Sequence, residues 1–399
     1  MSVAASGPPE AVFRINMLWT DERYRSGFIQ AVAMIVLMLV VAWLINNTVQ
    51  NLSDLGKDFD FGFLWEPANY DINQRLIEYT SRDSNLMAAI VGILNTLLVA
   101  LLGCITATVI GIAAGVARLS KNWIVAKIMT VYVEAFRNVP VLIWILLVAA
   151  VINESLPSPR AYRDVETGAF VLTNRGFYIP GPIMEAGAGI LIAVFCLSVA
   201  AIFAVRAWAR KRQAATGQQT PVILIGLGLL IVPSVLAYFA LGQPITLETP
   251  ELKGFNFQGG IFMRDSLIAL WLALSLYTGA FIAEIVRAGI LAVSHGQTEA
   301  AYALGLRPNR TMNLVVLPQA LRVIVPPLIS QFLNLTKNSS LAIAVGYMDA
   351  TGTLGGITLN QTGREMECIL LLMGFYLLVS LMISAVMNAY NNRVKMVER

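Results

Sequence analysis

GQTEAAYALGLRPNRTMNLVVLPQALRVIVPP, residues 296–327, begins as a short helix and ends as the lead-in to an apolar span. Thr298 is a good N-cap, and Glu299 places a negative charge in the first turn. Ala300, Ala301 and Ala303 favour helix, Gly305 is positioned to end it at positive φ, and Pro308 follows. The pattern predicts a helix of about two turns with a small-residue face, held between two long apolar runs. Such a helix has little of its own to bury. It reads as a knob for a groove on a partner; the plainer alternative is an amphipathic connector.

Working outward, the chain is 57% hydrophobic and 13% charged, where a soluble domain carries about 25% charge. Lipid must cover most of its surface. A span needs about 20 apolar residues, and eight stretches qualify: 28–46, 86–117, 124–151, 187–208, 221–241, 264–290, 319–346 and 366–390. The fold class is an all-α integral membrane protein. The first span reads as a retained anchor, with no small-residue cleavage site close behind it. Gly92, Gly103, Gly111 and Gly115 equip the second for close helix contact. The seventh is interrupted by Pro326-Pro327 and then by Lys337-Asn338-Ser339-Ser340.

Cations set the orientation. Arg14, Arg23 and Arg25, Arg118 and Lys121, the cluster RAWARKRQ from Arg206, Arg287, Arg307, Arg310 and Arg322, and finally Arg393, Lys395 and Arg399 fall on one side. That side is cytoplasmic, and both termini lie there. The opposite pieces hold fewer cations, Lys57 among them, and most of the acids, including Asp54, Asp58, Asp60, Glu66, Asp71, Glu78 and Asp83. Those acids read as a solvated loop, with a docking surface as the sharper alternative.

Several classes are excluded. No basic run with interleaved aromatics suggests nucleic acid. Cys104, Cys196 and Cys368 have no metal-like spacing, and the lone His295 cannot build a metal site or a triad. Gly56-Lys57 is followed by Asp58, so no P-loop is present and no catalytic cluster is readable.

Glu299-Ala300-Ala301, then Gly305, Val315 and Leu317-Pro318, resemble the EAA loop of ABC importer permeases. The resemblance implies a type I ABC importer transmembrane domain, with Glu299, Ala300, Ala301, Gly305, Leu317 and Pro318 in a coupling helix that docks on an ATPase. GILNTLLVALLGCITATVIGIAAGVARLS from Gly92, YVEAFRNVPVLIWIL from Tyr132, FIAEIVRAGILAV from Phe281 and NLTKNSSLAIAV from Asn334 resemble the polar amino-acid branch. Asn338 stands where many relatives carry Asp. Two features resemble the larger general L-amino-acid permeases of the Aap/Bzt type: an extra span and acidic loop in 1–85, and an insertion with two spans in 152–262. The core is then 86–151 and 263–392, followed by a tail, 393–399. The resemblance further implies a second, unlike permease, two ATPase subunits that carry ATP and Mg, a periplasmic amino-acid-binding protein, and a place in the bacterial inner membrane. It implies no cofactor on this chain.

Ionisable residues inside a membrane are costly and functional by default. Glu134 stands three residues before Arg137 and Glu284 three before Arg287, each pair on one helix face. A structural ion pair is the plainer reading of both. For the substrate, a zwitterion needs a partner for each charge, which points to Glu284, Lys337, Asn338 and Ser339 between the sixth and seventh spans. Lys337 could instead pair with Glu134 or Glu284 to hold the bundle. Two rivals are an ion-coupled secondary transporter, which leaves the EAA loop unexplained, and a membrane enzyme, which lacks its polar cluster.

Overall fold

The computed structural model describes residues 21–54, 58–163 and 168–394, with Trp19 and Gly56 beside them. Arg14, Lys57, Lys395 and Arg399, and the side chains of Arg23 and Arg393, lie outside the described residues. The chain divides into two units, 1–63 and 64–399. The first holds α1, Glu22–Asp54, an apolar helix of 33 residues exposed along its length. At 1.5 Å per residue it exceeds the roughly 30 Å hydrocarbon core.

The second unit opens with a segment in which Ala68, Tyr70, Ile72 and Tyr79 are buried while Glu66, Asp71 and Glu78 stay exposed. The acids are solvated, and the residues between them pack. α2, Asn85–Ala117, follows, its first turn capped by Ser84 Oγ, which accepts from Met87 N–H at 3.3 Å. The span expected over 124–151 is two helices: α3, Trp123–Asn138, and α4, Val141–Ser155. Pro140 disfavours helix for the residue before it, and Val139 is extended at φ −113°, ψ 136°. A continuous apolar run concealed the break.

Beyond α4 the chain forms strands that the helical periodicity did not announce. β1 (Val171–Thr173), β2 (Gly176–Ile179) and β3 (Gly181–Met184) precede α5, Ala188–Thr216, and α6, Val222–Ala240. β4 (Ile245–Glu248), β5 (Glu251–Lys253), β6 (Asn256–Gln258) and β7 (Ile261–Arg264) then lead into α7, Asp265–Leu291. β1, β2 and β7 make one antiparallel sheet, with Ile179 opposite Ile261. β3 pairs with β4, and β5 with β6. Among the described residues the seven strands are each three or four residues long, too short to stand out beside long apolar runs. The all-α reading holds for the membrane spans, and the sheets sit at one end of them.

After α7 come α8, His295–Ala303, a one-turn helix Pro308–Thr311, a wide turn over Met312–Val316, and α9, Leu317–Asn338. α9 does not break at Pro326-Pro327; it runs through both and tightens only at Ser339–Val345. The wide turn falls where Pro318 can neither bond nor clear the carbonyl four residues back. α10, Glu365–Val394, is the last helix among the described residues.

The core centres on α7, which packs on α2, α9, α4 and α3. Approach is close because glycines replace side chains. A Cβ on Gly111 would stand 2.5 Å from Ile282 Cβ, and one on Gly289 would stand 2.3 Å from Ile324 Cγ1. Polar bonds cross the same contacts: Trp271 Nε1–H donates to Thr106 Oγ1 at 3.1 Å, and Tyr132 O–H to the Leu276 carbonyl at 2.7 Å. α5 and α6 pack on each other and on no other helix to a comparable extent.

Candidate functional site

α8 begins four residues earlier than Thr298 allows. Its N-cap is Ser294, extended at φ −60°, ψ 140°, so Thr298 lies inside the helix and Glu299 in its second turn. Glu299 Oε1 meets His295 Nδ1 at 3.0 Å on the exposed face. The other end follows expectation. Gly305 has φ +77°, its N–H donates to the Tyr302 carbonyl at 2.9 Å, and Leu306 N–H donates to the Ala301 carbonyl at 3.1 Å. These two bonds close the last turn as a left-handed glycine allows. Ala301 is buried, Ala300 and Glu299 are exposed, and Leu304 is 82% exposed. A cleft of about 380 Å³ lies beside the helix, lined by Ser294, Thr298, Tyr302 and Met312 among others. Leu317 and Pro318 do not belong to the knob; they start α9.

Just inside this end, five charged side chains converge. Glu284, on α7, binds Arg118, which follows the last turn of α2; Arg287 reaches it at 2.6 Å and Arg137 at 3.9 Å. The Glu284–Arg287 pair forms as its spacing predicts. The Glu134–Arg137 pair does not. Arg137 turns towards α7 and stacks over Phe281 at 5.4 Å, while Glu134 lies 4.0 Å from Arg118 and accepts from Asn138 Nδ2 at 3.3 Å. Arg118 counted only towards orientation in the sequence. A cation ending an apolar run, opposite an intramembrane acid elsewhere, was the available signal. Three guanidiniums on two carboxylates leave the cluster positive.

Glu284 does not meet Lys337, Asn338 and Ser339. Gly103 of α2 lies against Leu335, whereas Arg118 of the same helix holds Glu284. Fifteen residues along α2 separate the two contacts, roughly 22 Å. One zwitterion cannot bridge that. Lys337 is exposed and, among the described residues, pairs with neither Glu134 nor Glu284. Ser339 is buried, its hydroxyl donating to the Thr336 carbonyl at 2.7 Å; Ser340 donates likewise to Lys337 at 2.7 Å. Both hydroxyls serve carbonyls freed as the helix tightens.

Sequence reading also passed over Asp349, an acid in the apolar stretch LAIAVGYMDATGTLGGI. It is buried, and Oδ1 accepts from Gly352 N–H at 2.8 Å, capping the turns that begin there. Burial pushes its carboxyl up to about 6. Around it, Ala350 N–H donates to Thr96 Oγ1 at 3.0 Å and Tyr347 O–H to the Asn95 carbonyl at 3.1 Å, tying this loop to α2.

A long helical core, an exposed knob ending at Gly305 and a charged cluster beside it narrow the comparison with known proteins. Residues 107–396 match the model of the binding-protein-dependent transport system inner membrane component family. The chain belongs to this family. It is a multi-pass permease subunit of an ABC transport system. It is 50% identical to the "Glutamate/glutamine/aspartate/asparagine transport system permease protein BztB" of Rhodobacter capsulatus, over 99% of each chain. It is 43% identical to the "General L-amino acid transport system permease protein AapQ" of Rhizobium johnstonii, over 95% of this chain and 94% of that one. It is 44% identical to the "Putative amino-acid ABC transporter permease protein YhdX" of Escherichia coli, over 96% and 98%. These likenesses lend no support to the ion-coupled carrier.

Proposed function

We propose that this permease carries L-amino acids inward across a bacterial inner membrane, paired with a second, unlike permease and driven by two ATPase subunits. ATP and Mg belong to those partners, and a periplasmic binding protein delivers the substrate. The observation that carries the reading is α8: a helix whose apolar Leu304 stands 82% exposed, closed by Gly305 and joined to the buried α7 by a short turn. Glu299, Ala300 and Ala301 face or support the contact with an ATPase groove. Closure of the ATPases displaces α8, and α7 and α9 carry the motion to the bundle. Both termini and the RAWARKRQ cluster are cytoplasmic in this arrangement, and the sheets face the binding protein.

The amino acid meets the path near Lys337 and Asn338, where α9 tightens and an exposed cation stands beside a half-buried amide. Its carboxylate suits Lys337; its ammonium needs a carboxylate or carbonyl other than Glu284. Reconstitution in proteoliposomes tests the whole reading. Uptake of labelled glutamate and glutamine should need ATP inside, the binding protein outside and all permease and ATPase chains. Uptake driven by an ion gradient without ATP would refute it. Lys337→Met should lower uptake at least tenfold with the complex still assembled, against the roughly 1.5–3 kcal/mol of a charge-assisted hydrogen bond.

A further inference from the structure

The inserted helices α5 and α6 hold a cleft that the transport reading does not use. Its volume is about 650 Å³, and its walls include Ile202, Arg206, Arg210, Gln213, Gly226 and Leu227. The cleft has two chemistries. From Ala188 to Arg206, α5 rises roughly 27 Å, about the thickness of the hydrocarbon core. α6 crosses the same thickness with its 19 residues, Val222–Ala240. Arg206 therefore emerges level with the start of α6, and α5 continues beyond it to Thr216. Ile202, Gly226 and Leu227 lie on the hydrocarbon side of that level, and Arg206, Arg210 and Gln213 on the aqueous side.

Charge sharpens the picture. The segment from Arg206 to Thr220 contains no acid. Among the described residues neither Arg206 nor Arg210 has a carboxylate partner. Arg212 is occupied otherwise, donating to Gln218 Oε1 at 3.0 Å and lying over Trp208 at 5.2 Å. Two guanidiniums one helical turn apart, above an apolar slot at headgroup depth, complement a phosphate that carries a hydrocarbon tail.

We propose that the α5–α6 cleft is a binding site for an anionic phospholipid, its phosphate on Arg206 and Arg210 and an acyl chain along Ile202, Gly226 and Leu227. The lipid fills space that protein leaves open and anchors a helix pair with little other packing.

The assembled complex, purified in detergent and offered phosphatidylglycerol and phosphatidylcholine at equal concentration, tests this by native mass spectrometry. Phosphatidylglycerol should be retained preferentially, and excess inorganic phosphate should not displace it. The double variant Arg206→Gln/Arg210→Gln should lower retention about thirtyfold, and Arg206→Lys/Arg210→Lys should restore most of it. Gly226→Leu leaves both charges in place and should also lower retention, by filling the apolar slot; it serves if the Gln variant does not accumulate. Equal retention of the two lipids, or retention unchanged in the Gln and Leu variants, overturns the proposal. So does loss of partner subunits from the Gln variant with lipid retention unchanged, which would assign the basic face to a protein contact.

Discussion

α7 and α6 are both long enough to cross a bilayer, yet 72% of the spanning window of α7 is buried and only 6% of that of α6. The less apolar helix is the buried one. α7 carries Ser266, Ser275, Thr278, Gly279, Glu284 and Gly289, while α6 is mostly Val, Ile, Leu and Gly. In water this would be inverted. In lipid, a leucine gains little by leaving hydrocarbon, so association depends on close approach and hydrogen bonds. Small and polar residues mark the core of this chain, and bulky aliphatic ones mark its lipid-facing surface.

Substitutions can break that contrast, and the greatest effect is expected where α8 ends. Gly305→Val should abolish uptake while the chain still inserts. Nothing lies within 4 Å of a Cβ there, so the cost is the backbone alone at φ +77°, at least about 1–2 kcal/mol for an L residue. Gly305→Asn should keep part of the activity, because Asn tolerates that conformation. Uptake measured against membrane-inserted protein decides it, and full transport by Gly305→Val would remove the knob from the mechanism.

Next comes the charge cluster. Glu284→Gln strips Arg118, 9% exposed, and Arg287 of their shared carboxylate. It should cost about 2–3 kcal/mol of stability. Glu134→Gln, at a half-exposed carboxylate 4.0 Å from Arg118, should cost much less. Thermal unfolding of the two variants side by side checks the ranking, and equal losses would mean that Glu284 is not the hub.

A matched pair of glycines probes packing directly. Gly111→Ala pushes a methyl into Ile282 and should cost about 1–3 kcal/mol. Gly228→Ala on α6 meets nothing within 4 Å and should be neutral or stabilise by about 0.5–1 kcal/mol. If both glycines behave alike, burial does not distinguish the two helices.

A modest loss of uptake is expected even from the largest change. Replacing 180–260 by Asn-Gly removes α5 and α6 but keeps β1, β2 and β7, since Ile179 and Ile261 are already partners. Much of the uptake should survive. The wider excision, 152–262, would also remove Phe177, which packs with Ile152 and Ile268. Complete loss of uptake after the narrower one would place the pair in the path or in the assembly.

How much of this was legible depended on distance along the chain. The spans and the glycine stop at 305 follow from local pattern, and both stand. The break at Pro140 was hidden because apolar residues continue on both sides of it. The strands are too short to carry a period. Depth was the larger gap. Helical spacing tells which residues share a face, but the level at which Glu284 and Lys337 meet the bundle is set by α2, more than two hundred residues from Lys337 along its whole length. Arg118 was missed as a site residue for the same reason, since it acts through Glu284, 166 positions away, whereas Asp349 caps its own turn at Gly352 and was hidden by the apolar residues around it.

The closure of α8 has one more consequence. Its last turn is held by main-chain bonds from Gly305 and Leu306, with no exposed side chain taking part. The outward positions, Glu299, Ala300, Tyr302 and Leu304 among them, are therefore free to vary without unmaking the shape that displays them. If α8 docks as proposed, the surface chemistry of the knob can drift across a lineage in step with the partner while its architecture stays fixed, so that paralogous systems in one cell can keep their components apart.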